Sequence, residues 1–504
     1  MKNGLSLLPK VGVISVTDVP REQGLVSERE QYINKAHQDL IDYLRNNNID
    51  VVDVSSKIER PDNNLAAIYK HSDARNCIKV MVNEDVEALV IGCWHWCEPM
   101  LIVDLAREFN KPILLYSDGN PMWAGVTLIS AAGASLWQNA PNFYSIVHKR
   151  VYGDKSEIIK WTRGVTAVEK LKRGKFILWG GSYALAMEYL QDDYSKLKSF
   201  LVGDIINEDQ YILIKYSKQI AEKRLIGFAN WLKSNKTVIN YDDKMLTEEI
   251  FKKQIALYLA AKDRINEYEN VLGVSVKCFT ELSDTYGVDA CFLPAFLPFY
   301  EDSEGKKDVV PCVCEGDIKA LICSSLLQII SSGHPSLFGD ILFIDKDYLV
   351  MGNCGASSIY YSCFSKIVKE VLKGITISQN FEGRGGAVSY NTAKDNLMTM
   401  VRLLRIKDEY IILLGLMQTI EIKENMRNKT CFYRNWPLTA LKFNVSRELL
   451  VDSLGANHLI GIPGDFTNEL IYSGNIAGIK VFRIDSDDEI KKWINYSNSK
   501  AKHF

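Results

Sequence analysis

The chain has 504 residues, 47% of them hydrophobic and 24% charged, the composition of a globular protein too long for one ordinary core. Its 60 basic and 62 acidic residues leave a formal net charge of -2 with no long like-charge block, which excludes an obvious polyanion-binding surface and makes nucleic acid an unexpected partner. No apolar run reaches the roughly 18 residues that a membrane span needs. Lys10 interrupts the apolar start and no signal-peptide cleavage pattern follows, so the expected location is the cytoplasm, with no membrane partner. The 11 cysteines, an odd number without a CxxC pair, read as reduced, buried packing residues.

In chain order, the first third alternates. Apolar runs at 11–16, 51–54, 88–92 and 112–116 read as strands, separated by helical patterns over 27–46, 66–82, 100–109 and 125–134. Ser27 to Glu30 read as a capping box opening the first helix, on which Ile33, His37, Leu40, Ile41 and Leu44 make one apolar stripe. This alternation predicts a parallel, Rossmann-like open sheet with helices on both faces. The turn after the first strand reads Thr17-Asp18-Val19-Pro20-Arg21 instead of GxGxxG, so no dinucleotide is expected. After the third strand, Cys93, His95 and Cys97 alternate onto one face. Zinc sites draw ligands from more than one segment, however, and no second Cys/His cluster is evident. The two tryptophans of Cys93-Trp94-His95-Trp96 either offer ring faces to a sugar or pack over the sheet.

A Lys/Arg-rich stretch at 151–174 marks a boundary. Beyond it come a strand at 175–179, the turn Gly180-Gly181-Ser182, a helix at 184–190, and long helices at 217–232 and 247–271. Pro294 and Pro298 forbid a regular strand or helix through 289–300. The apolar run 309–313 then ends on Glu315-Gly316-Asp317, a helix follows from Ile318 to about Ile329, and a second strand begins directly after Asp340. In an α/β fold, acids at strand ends face a crevice, where Glu315 and Asp340 together can hold a divalent cation and move protons. As isolated loop acids they are simply solvated, and spacing alone leaves both readings open. The last part changes character. Runs at 397–405 and 410–422 read as an antiparallel hairpin, followed by a strand at 440–443 and a helix at 445–454. In Gly455-Ala456-Asn457-His458, the histidine sits in a glycine-flanked turn where a ligand can approach the backbone, or where it is an exposed bystander.

Separated segments together resemble the L-fucose isomerase and L-arabinose isomerase superfamily, with the closer match to L-fucose isomerase. Leu8-Pro9-Lys10-Val11-Gly12-Val13 and Cys93-Trp94 resemble its first domain, and Glu315-Gly316-Asp317 resembles its Thr-Glu-Asn-Asp signature. Gly339-Asp340-Ile341 is similar to Ala-Asp-Val, Trp436-Pro437-Leu438-Thr439 to Trp-Pro-Thr-Thr, and Gly455-Ala456-Asn457-His458 matches residue for residue. The order along the chain agrees. Gly316 and Cys314 depart from the signature's Asn and Thr, Tyr183 follows Gly-Gly-Ser where those enzymes carry a different loop, and the chain is shorter than typical L-fucose isomerases, so the sugar is not specified.

The resemblance implies two Rossmann-like α/β domains (1–170 and 171–345) followed by a C-terminal domain (346–504) with an antiparallel β-barrel. It implies Mn²⁺ or another divalent cation held by Glu315, Asp340 and His458, a ligand set suited to a hard or borderline ion. The implied activity is aldose-ketose isomerisation of a free monosaccharide such as L-fucose or arabinose through an enediol, with Glu315 and Asp340 as acid and base. Substrate contacts are implied for Trp94 and Arg21 on the first domain of a neighbouring subunit, and for Trp436 and Asn457. A homo-oligomer, trimer or hexamer, with active sites at subunit interfaces follows from that. The altered residues beside Glu315 motivate an alternative, a non-catalytic sugar-binding or regulatory protein on the same domains.

Overall fold

Runs such as VGVISV and ILLYS are apolar on both faces because they lie in a parallel sheet covered by helices on both sides. The strands are β1 (Lys10–Val16), β2 (Asp50–Asp53), β3 (Ala67–Ile68), β4 (Ala88–Cys93), β5 (Ile113–Ser117) and β6 (Lys149–Tyr152). All pair in parallel in the order β2-β1-β4-β5-β6, with β3 beside the carboxyl end of β1. The chain therefore leaves β1 to one side and returns to its other side, placing a topological switch point between the carboxyl ends of β1 and β4. The computed structural model describes residues 5–20, 25–59, 65–380, 383–429 and 435–501. This first sheet belongs to a unit formed by Ser6–Glu169 and Asn468–Gly478. Its first helix, Leu25–Asn46, starts ahead of Ser27, so Ser27 to Glu30 lie within the helix. Residues 67–68 pair with β1, which delays the second helix to His71–Asn83.

The other unit, Met1–Leu5 with Lys170–Thr467 and Ile479–Phe504, holds two larger sheets. One is parallel, in the order Cys312–Cys314, Val271–Val276, Lys175–Trp179, Asp204–Glu208. The other runs Leu397–Ile406, His458–Pro463, Leu337–Ile344, Tyr348–Gly352, Leu438–Lys442, Glu409–Ile420, Lys480–Arg483. Its first six strands are antiparallel. The predicted hairpin pairs Leu397–Ile406 with Glu409–Ile420, so their pairings run in a ring. Helix Ile318–Ile330 is buried at every residue because it packs between the parallel sheet and three strands of this ring.

Tertiary structure overrides local pattern at several points. The expected helix at 184–190 is a turn with Leu185 and Ala186 at φ 53° and 58°, followed by only a short 3₁₀ segment, Glu188–Leu190. The helix expected at 217–232 begins only at Glu222 and runs to Ser234, after a separate helix Tyr211–Ser217, and that expected at 247–271 stops at Ile265 because Val271 already pairs with Lys175. Residues Phe292–Phe296 form a short helix despite Pro294, which falls in the first turn where its missing N–H has no intrahelical partner to lose. No helix among the described residues is long and apolar enough to cross a membrane.

Asp289 is 2% exposed and accepts hydrogen bonds from Gln254, from Asn380 Nδ2 at 3.1 Å and from the Cys291 amide at 3.3 Å. Burial outweighs these donors and pushes its pKa up to about 6 from the ordinary 3.8. A raised carboxyl pKa favours folding at low pH. Its contribution is fully present below 3.8 and is lost as pH rises through about 6. Asp289→Asn is therefore expected to remove a fall in stability on the order of 3 kcal/mol between pH 4 and 7, measured by denaturant unfolding across that range.

Candidate functional site

Strand register brings the first two site residues together. Asp340 lies inside the Leu337–Ile344 strand, not ahead of it, and its Cα partner across the antiparallel pair is His458. Paired residues project from one face, which sets His458 Nε2 3.4 Å from Asp340 Oδ1. Glu315 arrives from the parallel sheet, at the end of Cys312–Cys314, and its Oε2 is 3.2 Å from the same Nε2.

The turn that delivers Glu315 is tightly constrained. Glu315 has φ 63° and Gly316 φ 71°, and a Cβ on Gly316 would meet Gly181 O at 2.0 Å. The glycine that departs from the family signature is thus the residue this backbone contact requires. Gly316→Ala is expected to destabilise the protein by about 2 kcal/mol or more, read as a fall in the denaturation midpoint, with cation binding weakened in the same variant.

Behind these residues stands a pair that sequence reasoning did not assign. Asp317 caps helix Ile318–Ile330 by accepting from the Ala320 amide at 3.0 Å. It also accepts from Arg402 through Nη1 at 2.6 Å and Nη2 at 3.2 Å, and from His458 Nδ1 at 2.8 Å. Burial alone would raise the Asp317 pKa, but Arg402 and His458 outweigh it and hold the carboxyl well below the usual carboxylate range. An ionised Asp317 holds a proton on His458 Nδ1, so Nε2 is the ring nitrogen that faces Glu315 and Asp340. Asn457 Nδ2 donates to Asp340 Oδ1 at 2.5 Å, and the Tyr189 hydroxyl donates to Asn457 Oδ1. The Glu315 and Asp340 side chains keep 13% and 21% exposure while His458 has none, so the carboxylates form the open edge of the cluster.

The charges ask for a cation. Burial would lower the His458 pKa, but Asp317, Glu315 and Asp340 outweigh it and push it up to about 10. Burial, with Glu315 and Asp317 nearby, raises that of Asp340. His458 Nε2 and Glu315 Oε2 are both buried without a hydrogen-bond partner among the described residues, although they are close. Spacings of 3.2 and 3.4 Å suit ligands sharing one ion, since bonds of about 2.0–2.4 Å put neighbouring ligands about 3 Å apart. As placed, no group of three or more His, Cys, Asp or Glu side chains among the described residues could hold a metal ion, so a cation at this cluster would require the carboxylates to turn. The donor set and its unpartnered atoms fit a divalent cation.

Two of the remaining candidates are buried. Trp436 is buried, with Nε1 3.4 Å from Asn380 Oδ1. Trp94, in the first unit, is 1% exposed, and its indole donates to Ser15 Oγ at 2.7 Å; Ser15 in turn lies 2.8 Å from His37 Nδ1. The more open groups at that strand end are Trp96 and His95, the latter edge-on to Trp123 at 5.5 Å. Thr17 Oγ1, Arg29 Nε and His95 Nδ1, from the segments around the switch point, are buried without partners among the described residues. Cys93 and Cys97 are buried, and burial raises both thiol pKa values, that of Cys97 to about 12. Arg21 lies outside the described residues.

No family model matches the chain. A curated protein similar to it is the sulfoquinovose isomerase of Alkalicoccus urumqiensis, 18% identical over 285 residues. The match covers 55% of this chain and 61% of the relative, less than two thirds of that relative's length.

Proposed function

We propose that this chain is a divalent-cation-dependent aldose-ketose isomerase acting on a free monosaccharide. The observation that carries the reading is the convergence of Glu315, Asp340 and His458, with Nε2 and Oε2 left unpartnered beside each other. The name of the relative, a sugar isomerase, agrees in reaction type. We read the ring of six antiparallel pairings as the C-terminal barrel of the L-fucose isomerase superfamily.

Isomerisation moves one proton from C2 of an aldose to C1 and one from the C2 hydroxyl to O1, through an enediol, while negative charge develops on the carbonyl oxygen. A bound Mn²⁺ would supply Lewis-acid stabilisation of that charge. Glu315 and Asp340, on the exposed edge, take and return the proton, exchanging roles with reaction direction. Asp317 fixes the His458 tautomer and ring orientation, and Arg402 fixes Asp317. Asn457, braced by Tyr189, holds the Asp340 carboxylate in place, so its free oxygen faces the substrate.

The topological switch point of the first unit, with Trp96 exposed at that strand end, supports the further reading that this crevice faces the site of a neighbouring subunit in a trimer or hexamer. Sedimentation equilibrium is expected to show that assembly, and a monomer at micromolar concentration would overturn it. The activity is tested by stripping the protein with EDTA and offering L-fucose, arabinose, glucose and sulfoquinovose with and without Mn²⁺. NMR should show new ketose signals for at least one sugar only when the ion is present. Full Mn²⁺ loading with no sugar interconverted would overturn the reading.

A further inference from the structure

The stretch from Gly119 to Val147 holds no Asp, Glu, Lys, Arg or His, in a chain of which 24% is charged. The next longest such run, 348–365, is mostly buried, as uncharged chain usually is. The first is not. Its Met122, Val126, Trp137, Phe143 and Ile146 side chains are between 45% and 70% exposed. At roughly 150–250 Å² for a large side chain, they leave on the order of 500 Å² of apolar surface, more than half of the ~800 Å² that each partner gives to a stable interface.

These side chains are gathered on one face. Helix Gly125–Asn139 buries Leu128, Ile129, Ala132 and Leu136 within its own unit and leaves Val126, Ser130, Ala134 and Trp137 exposed, a single stripe at i, i+4, i+8 and i+11. Met122 stands just ahead of its first turn. At the other end the Trp137 indole donates to Ile146 O at 3.1 Å, which brings the short helix Phe143–Ile146 beside the stripe. Arg150 Cζ lies 4.1 Å from the centroid of the Trp137 ring and holds the indole in place. A large aromatic side chain fixed in advance loses little entropy on contact, which makes Trp137 an anchor.

We infer that this face docks on the same face of a second copy of the chain, with the two Gly125–Asn139 helices antiparallel about a two-fold axis. Charge and shape both select the copy. A partner recognised by charge finds nothing here to pair with, whereas an uncharged face is complementary to itself. The stripe is also bulky at its ends, with Met122 and Val126 at one and Trp137 at the other, and small in the middle, at Ser130 and Ala134. An antiparallel copy sets Trp137 against the Val126 end and brings the small residues together at the axis, where helices approach to about 8 Å. A closed trimer has no two-fold axis, so of the two assemblies proposed above this contact selects the hexamer. The contact itself does not rest on the isomerase reading.

The test reads mass and labelling instead of turnover, so its failure is separable from failure of the isomerase reading. Sedimentation equilibrium of the full-length protein is expected to give an even number of chains, and Ala134→Arg, a change at an exposed helix position, to give about half that mass. In Ala134→Cys, which keeps the middle of the stripe small, a maleimide is expected to modify the introduced thiol at least about tenfold more slowly than in the same variant carrying Trp137→Glu, which puts a charge on the face. A dimer would uphold this contact and overturn the trimer-or-hexamer reading. The inference is overturned by a monomer or an odd number of chains, by an unchanged mass in Ala134→Arg whose unfolding midpoint shows it folded, or by equal labelling rates with and without Trp137→Glu.

Discussion

Glu315→Gln is expected to lower kcat/KM for the isomerised sugar by at least about 10³-fold while leaving the fold intact. The substitution keeps the shape of the side chain and removes two things at once, an anionic ligand and a proton acceptor. Asp340→Asn should act alike, because the two acids flank the same imidazole nitrogen, at 3.2 and 3.4 Å. The structural cost should be small. Glu315 Oε2 makes no hydrogen bond among the described residues, so the amide displaces no partner. Mn²⁺ affinity, followed by electron paramagnetic resonance of the free ion, should fall in parallel with activity. Retained activity in Glu315→Gln would show that the proton moves by another group, and retained Mn²⁺ affinity would show that the ion sits elsewhere.

The residues that became the cluster were visible in the sequence as separate acids and a loop histidine, and their convergence was not. Alternating apolar runs made the first parallel sheet legible because buried parallel strands are apolar on both faces and helices must cover them. The same logic failed at 184–190, where Leu185 and Ala186 take left-handed conformations that no apolar pattern signals. It also misplaced Asp340, because the Leu337–Ile344 strand starts where its partner His458–Pro463 ends, a register set by another segment of chain.

Asp317 and Arg402 were legible in principle. Asp317 directly precedes a helical pattern, the position of a capping acid, and Arg402 is a cation flanked by apolar residues inside LMTMVRLLRI, where the buried stretch of the strand demands a partner. What the sequence lacks is the pairing, because 85 residues separate them. Gly316 was read as a departure from a signature, and only the 2.0 Å approach of Gly181 O to its missing Cβ shows it as a requirement.

Arg402→Met carries the largest expected effect on stability, because it strands the Asp317 carboxylate, which has no exposed surface, without its cation. Breaking a buried pair from one side costs about 3–5 kcal/mol. Asp317 would then rely on His458 and the Ala320 amide, and its pKa, now held far down by Arg402, should climb. Adding Asp317→Asn is expected to recover most of the loss. The amide oxygen can still accept from the Ala320 amide or from His458 Nδ1, and no buried charge remains. Metal affinity should not recover with stability. A carboxylate behind a ligating histidine sets its tautomer and basicity, and its replacement lowers metal affinity about 10–100-fold. The double variant therefore separates two roles of one residue: folding restored by denaturant titration, Mn²⁺ binding still weak. Equal recovery of both would make Asp317 only a helix cap and counterion, and the imidazole would then need some other group to aim its lone pair at the carboxylates.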